Sequence, residues 1–183
     1  MIQPQNITEY FINKYVNKND IVIDATMGNG FDTLKLANAV GEGGKVYAFD
    51  VQNIAVENTK KLLLENNISN ADLILDSHEN LDKYVKESVK CVVFNLGYLP
   101  GGDHKKQTKK ESTINAIEKS LAVLSCEGFI SVTVYYGKNS GTEEKEGVME
   151  YFKNLDYKKY TVLVSDFFNR PNNPPLTVII TKN

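Results

Sequence analysis

Short apolar segments alternate with segments of helical periodicity along nearly the whole chain. The apolar runs predict strands at residues 20–25, 45–50, 71–75, 90–95 and 128–135. Apolar residues that recur at helical spacing predict helices at residues 5–17, 30–40, 53–66, 79–87, 111–125 and 142–154. Strands that alternate with helices indicate a parallel sheet with helices on both of its faces.

The end of the chain departs from this alternation. Two further strands, predicted at 160–168 and 176–182, are joined by the segment NRPNNPP with no helix between them. Strands joined in this way lie antiparallel. We therefore predict one α/β domain over residues 1–183, with a doubly wound, mostly parallel seven-stranded sheet that ends in an antiparallel hairpin. This Rossmann-like arrangement is similar to that of class I methyltransferases, which is a likeness of fold alone.

Composition narrows the class of protein further. The 183 residues are 42% hydrophobic and 24% charged, which fits a globular domain that buries a full core. No apolar run approaches the ~20 residues that span a membrane, and the N-terminus lacks the basic and apolar segments of a signal peptide. Cys91 and Cys126 have no metal-ligand spacing. We expect reduced thiols, no metal and a cytoplasmic location.

The charge balance does not by itself indicate a nucleic-acid binder. The formal net charge is −2, whereas proteins that rely on phosphate contacts usually carry a basic face. Lysines are nevertheless bunched within residues 105–110. We interpret this lysine cluster either as a solvated loop or as a phosphate contact.

The stretch DATMGNGFDT, residues 24–33, follows the first predicted strand and opens the next helix. Gly28 and Gly30 let the backbone turn sharply and approach a ligand. A pyrophosphate site would have a third glycine where this chain has Thr33. S-adenosylmethionine has no phosphate but carries cationic groups, so Asp24 either orients the loop or attracts the methionine end of this cofactor. Further cofactor-binding candidates in the turn are Met27, Asn29 and Asp32.

Polar residues follow the second and third strands. Asp50 ends the second strand, where a carboxylate accepts both hydroxyls of an adenosine ribose, and Gln52 is a candidate contact to the ribose or the adenine. After the third strand, Asp76 and Ser77 are interpreted as contacts to the adenine edge, as caps of the next helix, or as both. His78 is assigned to the pocket wall rather than to proton transfer, because no second histidine or cysteine gives it a zinc spacing.

The segment FNLGYLPGGD, residues 94–103, follows the fourth strand. Ligands of open α/β sheets bind beyond the carboxyl ends of the strands, so Asn95 is predicted to face the reactive end of the cofactor. Its side-chain oxygen and the carbonyl of Leu96 can accept hydrogen bonds from an amine, which aims the nitrogen lone pair at the methyl group. The Asn-x-x-Tyr spacing is similar to the Asn-Pro-Pro-Tyr signature of amino-group methyltransferases, and the ring of Tyr98 can stack on a base.

Four motifs together resemble a small bacterial methyltransferase family: the glycine turn, the DSHEN segment at 76–80, FNLGYLPGGD and NRPNNPP. That family was long labelled rRNA methylase and is associated with modification of the tRNA wobble uridine. The resemblance covers essentially the whole chain. It implies S-adenosylmethionine as methyl donor and the exocyclic amine of 5-aminomethyl-2-thiouridine, in a tRNA anticodon stem-loop, as acceptor.

The resemblance also implies roles for individual residues. It places the cofactor at Asn29, Asp50, Gln52, Ser77 and His78. It places the substrate along residues 95–103, at the end of the fifth strand and along residues 169–175, and the candidates there are Gly97, Asp103, Tyr135, Lys138, Asn169, Arg170, Asn172 and Asn173. Family members often read Tyr-x-Gly-His after the fifth strand, whereas this chain has lysine in place of the histidine. A role that needs the histidine ring is therefore not expected of Lys138, which either contacts phosphate or is solvated.

Two other functions stay open at this point. A methyltransferase of rRNA or of a small-molecule amine would share the fold and the cofactor, and the modest net charge is compatible with it. A dinucleotide-binding module that transfers no methyl group, such as a reductase, is disfavoured by Thr33. The sequence leaves the oligomeric state open, a homodimer included.

Overall fold

The computed structural model describes residues 3–97, 101, 108–136 and 141–183. Three predicted site residues lie outside the described residues, namely Tyr98, Asp103 and Lys138. The lysine cluster is divided, because Lys109 and Lys110 are described whereas Lys105 and Lys106 are not.

The observed elements follow the predicted order. The helices are α1 (Pro4–Tyr15), α2 (Phe31–Val40), α3 (Asn53–Glu65), α4 (Leu81–Tyr84), α5 (Lys110–Val123) and α6 (Thr142–Lys153). The strands are β1 (Ile21–Asp24), β2 (Lys45–Asp50), β3 (Ala71–Leu75), β4 (Val89–Leu96), β5 (Leu124–Val134), β6 (Tyr160–Ser165) and β7 (Leu176–Lys182). A 3₁₀ turn, His78–Asn80, precedes α4.

The strands form one seven-stranded sheet in the order β3-β2-β1-β4-β5-β7-β6. Strands β1 to β5 are parallel, and β7 lies antiparallel between β5 and β6. The predicted fold class is therefore confirmed. The chain builds outward from β1 through β2 and β3 and then places β4 on the other side of β1. Ligands of such sheets bind at this switch in strand order, beyond the carboxyl ends of the strands.

The central strands are buried on both faces, because successive side chains of a strand point to opposite sides of the sheet. On one face Val22 of β1 belongs to the same core cluster as Leu36 of α2. On the other face Ile23 shares a cluster with Ile117 of α5. This double burial requires the nearly continuous apolar runs from which the strands were predicted.

Three predicted segments differ from the structure by three residues or more, and one of them is β6, which ends at Ser165 rather than at residue 168. The helix predicted at 79–87 is a 3₁₀ turn followed by the short α4, and the chain is extended directly after Tyr84. Strand β5 begins at Leu124, four residues before its predicted start. The register between β4 and β5 shifts between Val89 and Cys91, and Glu127 has a left-handed φ of 59°. An irregularity of this kind interrupts the alternation on which the prediction relied.

Three further observations bear on the kind of site the fold can hold. Cys91 is buried, Cys126 is exposed, and both are free thiols. Within the described ranges, no group of three or more His, Cys, Asp or Glu side chains could hold a metal ion. Among the described residues, no helix is both long enough and apolar enough to cross a membrane.

Candidate active site

A cleft of about 240 Å³ opens at the carboxyl ends of β1, β2, β3 and β4. All of these strands end at the same edge of the sheet, so segments that are far apart in the sequence meet there. The predicted site residues that line the cleft are Met27, Gly28, Asp32, Asp50, Gln52, Asp76, Ser77, His78, Asn95 and Gly97. The structure therefore brings most of the predicted cofactor residues together with the predicted amine-binding asparagine.

The turn between β1 and α2 needs its glycines for conformation and for packing. Gly28 and Gly30 have φ values of 54° and 84°, in the left-handed region that glycine adopts without strain. A Cβ on Gly30 would lie 2.7 Å from Oγ1 of Thr59 and 3.0 Å from its Cα. The Thr59 hydroxyl also donates to the Gly28 carbonyl at 3.2 Å. The turn thus packs closely against α3, and only glycine can be accommodated at position 30.

Asp50 is held at the end of β2 by the backbone of two segments. Its Oδ2 accepts a hydrogen bond from the amide of Gly28 at 3.0 Å, and its Oδ1 accepts one from the amide of Gln52 at 2.9 Å. An ionised carboxylate has about four lone-pair sites, so two backbone bonds leave acceptor capacity for hydroxyl groups. The fixed orientation fits the predicted contact of Asp50 with the two hydroxyls of a ribose.

Asp24 lies behind the cleft rather than in its wall. Its side chain is fully buried, and it accepts hydrogen bonds from the Thr33 hydroxyl at 2.6 Å and the Thr26 amide at 3.2 Å. Burial, and then the nearby charge of Asp32, raises the pKa of Asp24 to about 7. The geometry fits the first predicted role, orienting the loop. The other predicted role, attraction of the methionine end of the cofactor by direct contact, is wrong, because the buried Asp24 has no surface on the cleft.

The polar residues of the segment after β3 cap the turn that follows, as one of the two predicted roles requires. Asp76 accepts hydrogen bonds from Nδ2 of Asn80 and from the hydroxyl of Tyr84, each at 2.9 Å. The bond from Asn80 is the main reason that the pKa of Asp76 is lowered. Ser77 caps the 3₁₀ turn by accepting from the amide of Glu79. Capping is thus observed, and both Asp76 and Ser77 also line the cleft.

His78 forms part of the cleft wall, where burial favours the neutral form of its ring. Its Nδ1 lies 3.0 Å from the carbonyl oxygen of Ala25, and burial lowers its pKa. A neutral ring beside a carbonyl donates from Nδ1, so Nε2 carries the lone pair. This Nε2 is buried and has no hydrogen-bond partner among the described residues. The arrangement agrees with the predicted place of His78 in the pocket wall.

Asn95 is the penultimate residue of β4, and two contacts hold it. Its backbone amide donates to Oγ1 of Thr26 at 2.7 Å. Its side-chain Nδ2 donates to Oδ2 of Asp32 at 2.7 Å. Asp32 is the second residue of α2, and its Oδ1 lies 3.2 Å from Nζ of Lys35. The side chains of β4 and α2 are thereby joined across the cleft wall.

The chain that leaves β4 is tied to helix α6 by residues that sequence analysis missed. The amide of Gly97 donates to Oγ1 of Thr108 at 2.8 Å, and the carbonyl of Gly97 accepts from the amide of Thr108. The Thr108 hydroxyl donates to Oε2 of Glu144 at 2.8 Å, and Thr113 donates to Oε1 at 2.7 Å. Glu144 is buried, which raises its pKa. No local signal marks this glutamate, because its neighbours in α6 are also acidic.

Phe31 is a second residue that sequence analysis missed. It lines the cleft, yet 64% of its surface is exposed to solvent. Large aromatic side chains usually bury most of their area in a core or an interface. The signal was available, since Phe31 directly follows the second glycine of the turn, where a core residue is not expected.

Some predicted residues do not line the cleft. Asn29 faces α3, where its Oδ1 accepts from Nδ2 of Asn58 at 3.0 Å. The side chain of Leu96 is buried in the core, which leaves its backbone carbonyl as the group for the predicted contact with an amine. Tyr135 follows β5, and its hydroxyl accepts from Nε2 of Gln5 at 2.6 Å.

The connection between β6 and β7 lies at the same edge of the sheet as the cleft. This follows from the pairing of β7, which begins opposite Val134, the last residue of β5. The predicted asparagines of this connection are exposed, namely Asn169, Asn172 and Asn173. The guanidinium of Arg170 lies 4.0 Å from the ring centre of Phe167. None of these predicted residues lines the cleft, so their predicted contacts with RNA concern parts of the substrate away from the reacting group.

Residues 46–181 match a protein-family model described as "Putative rRNA methylase". The chain belongs to this family. A relative from Arabidopsis thaliana, named "tRNA (mnm(5)s(2)U34)-methyltransferase, chloroplastic", is 35% identical over 179 residues, which cover 91% of this chain and 65% of the relative. The chain thus spans slightly less than two thirds of that relative's length. The resemblance stated from the sequence motifs is confirmed.

Two solved structures share the fold of this chain over its whole length. A "putative rRNA-methylase" from Clostridium thermocellum is 45% identical, with a TM-score of 0.98, over 100% of this chain and 99% of that chain. A "putative methyltransferase" from Streptococcus mutans, solved in complex with SAH, is 40% identical, with a TM-score of 0.92, over 100% of this chain and 99% of that chain. The methyltransferase fold predicted from the order of strands and helices is therefore confirmed.

Proposed function

We propose that this chain transfers a methyl group from S-adenosylmethionine to the exocyclic amine of 5-aminomethyl-2-thiouridine at the wobble position of tRNA. The observation that carries the proposal is that one cleft contains both Asp50, at the end of β2, and Asn95, at the end of β4. The first suits the adenosine part of the cofactor, and the second suits an amine. The proposed tRNA substrate is supported by the relative from Arabidopsis thaliana, which is named a tRNA (mnm(5)s(2)U34)-methyltransferase.

The residues of the cleft fit S-adenosylmethionine. Gly28 lines the cleft with a left-handed backbone and no side chain, and Asp50 keeps acceptor capacity for ribose hydroxyls. The polar groups of Asp76, Ser77 and His78 line the same cleft and suit the adenine. The complex of the Streptococcus mutans relative with SAH, the form of the cofactor that has lost its methyl group, supports this assignment.

When it is bound, S-adenosylmethionine supplies a methyl group activated by a positive sulfur. The protein has to hold the acceptor amine in its neutral form, because a protonated amine has no lone pair with which to bond carbon. We assign to the carboxamide oxygen of Asn95 and the carbonyl of Leu96 the task of accepting the two N–H bonds of that amine. Alignment of this kind is worth ~7 kcal/mol or more of the barrier, so no acid–base pair is needed.

Phe31 and the connection between β6 and β7 are assigned to the RNA. Phe31 offers an exposed aromatic face beside Asp32 and Asn95, and unpaired bases stack on such faces. The predicted contacts of Asn169, Arg170, Asn172 and Asn173 with an anticodon loop are part of the same proposal. The proposal also includes the roles predicted from the sequence for Tyr98, Asp103, Tyr135 and Lys138. The cytoplasmic location and a homodimer stay predictions.

The test is methylation of tRNA isolated from cells that lack the enzyme and therefore carry 5-aminomethyl-2-thiouridine. The protein and S-adenosylmethionine are expected to add the mass of one methylene unit to that nucleoside, as read by nucleoside mass spectrometry. Transfer RNA without the aminomethyl group is the matched control and should gain nothing.

A second candidate, methylation of rRNA, is favoured by the description of the matching family. The same assay therefore includes ribosomal RNA and free small-molecule amines. A mass gain on rRNA or on a free amine, with none on the aminomethylated tRNA, would replace the proposed substrate but keep the methyltransferase.

A further inference from the structure

The contact between Asn95 and Asp32 restricts how the Asn95 side chain is oriented. A carboxamide carries an NH₂ group that donates and an oxygen that accepts, whereas a carboxylate only accepts. The Nδ2 of Asn95 lies 2.7 Å from Oδ2 of Asp32. If the carboxamide were turned over, its oxygen would face the carboxylate, and the two acceptors would repel each other.

Asp32 is itself held in place. It lies in the first turn of α2, where the helix dipole favours a negative charge. Its other oxygen, Oδ1, is 3.2 Å from Nζ of Lys35, and its side chain is only 18% exposed. The backbone of Asn95 is held separately by Thr26. The strand position of Asn95 thus depends on Thr26, and the orientation of its carboxamide depends on Asp32.

The orientation matters for an amine acceptor, and this step rests on the proposed function. With Nδ2 facing Asp32, Oδ1 is the carboxamide atom left to accept an N–H of the amine. In the opposite orientation the NH₂ group would meet the amine and donate to its lone pair, which would then not be available for methyl transfer. The wrong orientation would therefore block the reaction as well as lose a hydrogen bond.

We propose that Asp32 is a positioning residue that sets the carboxamide of Asn95 so that its oxygen receives a neutral amine. This assignment replaces the direct contact with the cofactor that was predicted for Asp32 from the sequence. A hydrogen bond to an ionised partner biases the two orientations by roughly ten- to a hundredfold. Replacement of Asp32 by alanine removes that bias and leaves the backbone bond of Asn95 intact.

The first measurement needs no substrate. The side-chain NH₂ signals of Asn95 are followed by ¹⁵N NMR and are assigned by their loss in Asn95→Ala. In the native protein we expect one of the two protons to be shifted downfield and protected from exchange by the Asp32 carboxylate. In Asp32→Ala the shift and the protection are expected to disappear. Unchanged signals would overturn the proposal.

The second measurement separates orientation from cofactor binding. For Asp32→Ala we expect the single-turnover rate with saturating S-adenosylmethionine and aminomethylated tRNA to fall at least tenfold. The dissociation constant for SAH should stay within threefold of the native value. An equal loss of rate and SAH affinity would overturn the proposal and restore Asp32 to the cofactor site.

Two variants serve as controls. Asp32→Asn keeps an oxygen that can accept from Nδ2 and conserves the shape of the side chain, so it should recover part of the rate lost in Asp32→Ala. Lys35→Ala removes the ion pair of Asp32 but keeps the contact of Asp32 with Asn95, so it should lose much less rate than Asp32→Ala. If the native protein does not methylate the tRNA, the proposed function fails, whereas the NMR signals and SAH affinity still decide the role of Asp32.

Discussion

Two side chains, at the ends of the strands β2 and β4 that flank β1, are assigned separate tasks in the cleft. Two backbone amides donate to the Asp50 carboxylate and so fix the orientation of this side chain. Asn95 is likewise held through its backbone and its NH₂ group. Preorganised polar groups of this kind lose little entropy when a ligand binds. Substitutions of these residues should therefore change either cofactor binding or turnover selectively.

Asp50→Ala is expected to raise the dissociation constant for S-adenosylmethionine about tenfold or more. The reason is the loss of hydrogen bonds to a charged group, worth ~1.5–3 kcal/mol, where about 1.4 kcal/mol corresponds to a factor of ten. Isothermal titration calorimetry measures the change. Asp72→Ala is the matched control, because Asp72 is an exposed carboxylate of the neighbouring strand, paired with Lys45. Native affinity in Asp50→Ala would contradict the ribose assignment.

Phe31→Ala is expected to raise the KM for tRNA by about tenfold, because stacking of a base on an aromatic ring is worth ~1–3 kcal/mol. The SAH dissociation constant should not change, and Phe31→Trp should restore the KM. Steady-state kinetics on aminomethylated tRNA provide the measurement. Tyr157→Ala is the control, since Tyr157 is 79% exposed and precedes β6 at the opposite edge of the sheet. If Phe31→Leu performs as well as Phe31→Trp, stacking is not the role.

At the scale of elements, helix α6 supports the cleft through one buried carboxylate. Glu144 accepts from hydroxyls on both sides of the α5 N-terminus, Thr108 before it and Thr113 within it. Thr108 in turn bonds Gly97, where β4 leaves the sheet. Hydrogen bonds therefore link the cleft wall after β4 to helix α6, although no residue of α6 lines the cleft.

Glu144→Ala is expected to lower the free energy of unfolding by about 1–3 kcal/mol, because buried hydroxyls lose their acceptor. Turnover should fall as well, because Gly97 and Thr108 line the cleft. Glu144→Gln keeps one acceptor and should lose less stability. Urea unfolding and single-turnover assays provide the two measurements. Glu143→Ala, an exposed residue of the same helix turn, is the control, and equal effects in the two alanine variants would exclude the connection.

At the scale of the whole molecule, the order of strands places an acidic residue in the centre of the protein. Asp24 ends β1, which is paired on both sides by β2 and β4 and is covered on both faces. The strand order therefore accounts for the burial that raises the pKa of Asp24 to about 7. A shifted pKa of a buried group makes stability depend on pH.

Asp24→Asn is expected to flatten the pH dependence of stability between pH 4 and pH 8. The folded protein holds the Asp24 proton more tightly than the unfolded chain, whose ordinary value is 3.8. Asp24 therefore contributes its full stabilisation of the folded state below pH 3.8, and this stabilisation is lost as the pH rises towards 7. The loss amounts to about 4 kcal/mol. Urea unfolding of the native protein, Asp24→Asn and the exposed control Asp72→Asn measures it, and parallel curves for all three would contradict the prediction.

Local sequence patterns determined the elements and the identity of several cleft residues. Strands β2, β3 and β7 have the bounds predicted from their apolar runs, because a short apolar run between polar and turn-forming residues marks a strand of that length. Gly28, Gly30 and Asp50 were also found from local patterns. Each is a residue type that the end of a strand requires for a turn or a ligand.

Only the tertiary structure decided which polar groups pair with one another. Asp32 and Asn95 are 63 residues apart in the chain, and Thr113 and Glu144 are 31 apart, yet each pair shares a hydrogen bond. Such contacts exist only in the assembled fold, and periodicity carries no information about partners at that distance along the chain. For the same reason Asp24 could be interpreted from the sequence as a cofactor contact. Its burial is a property of the assembled sheet.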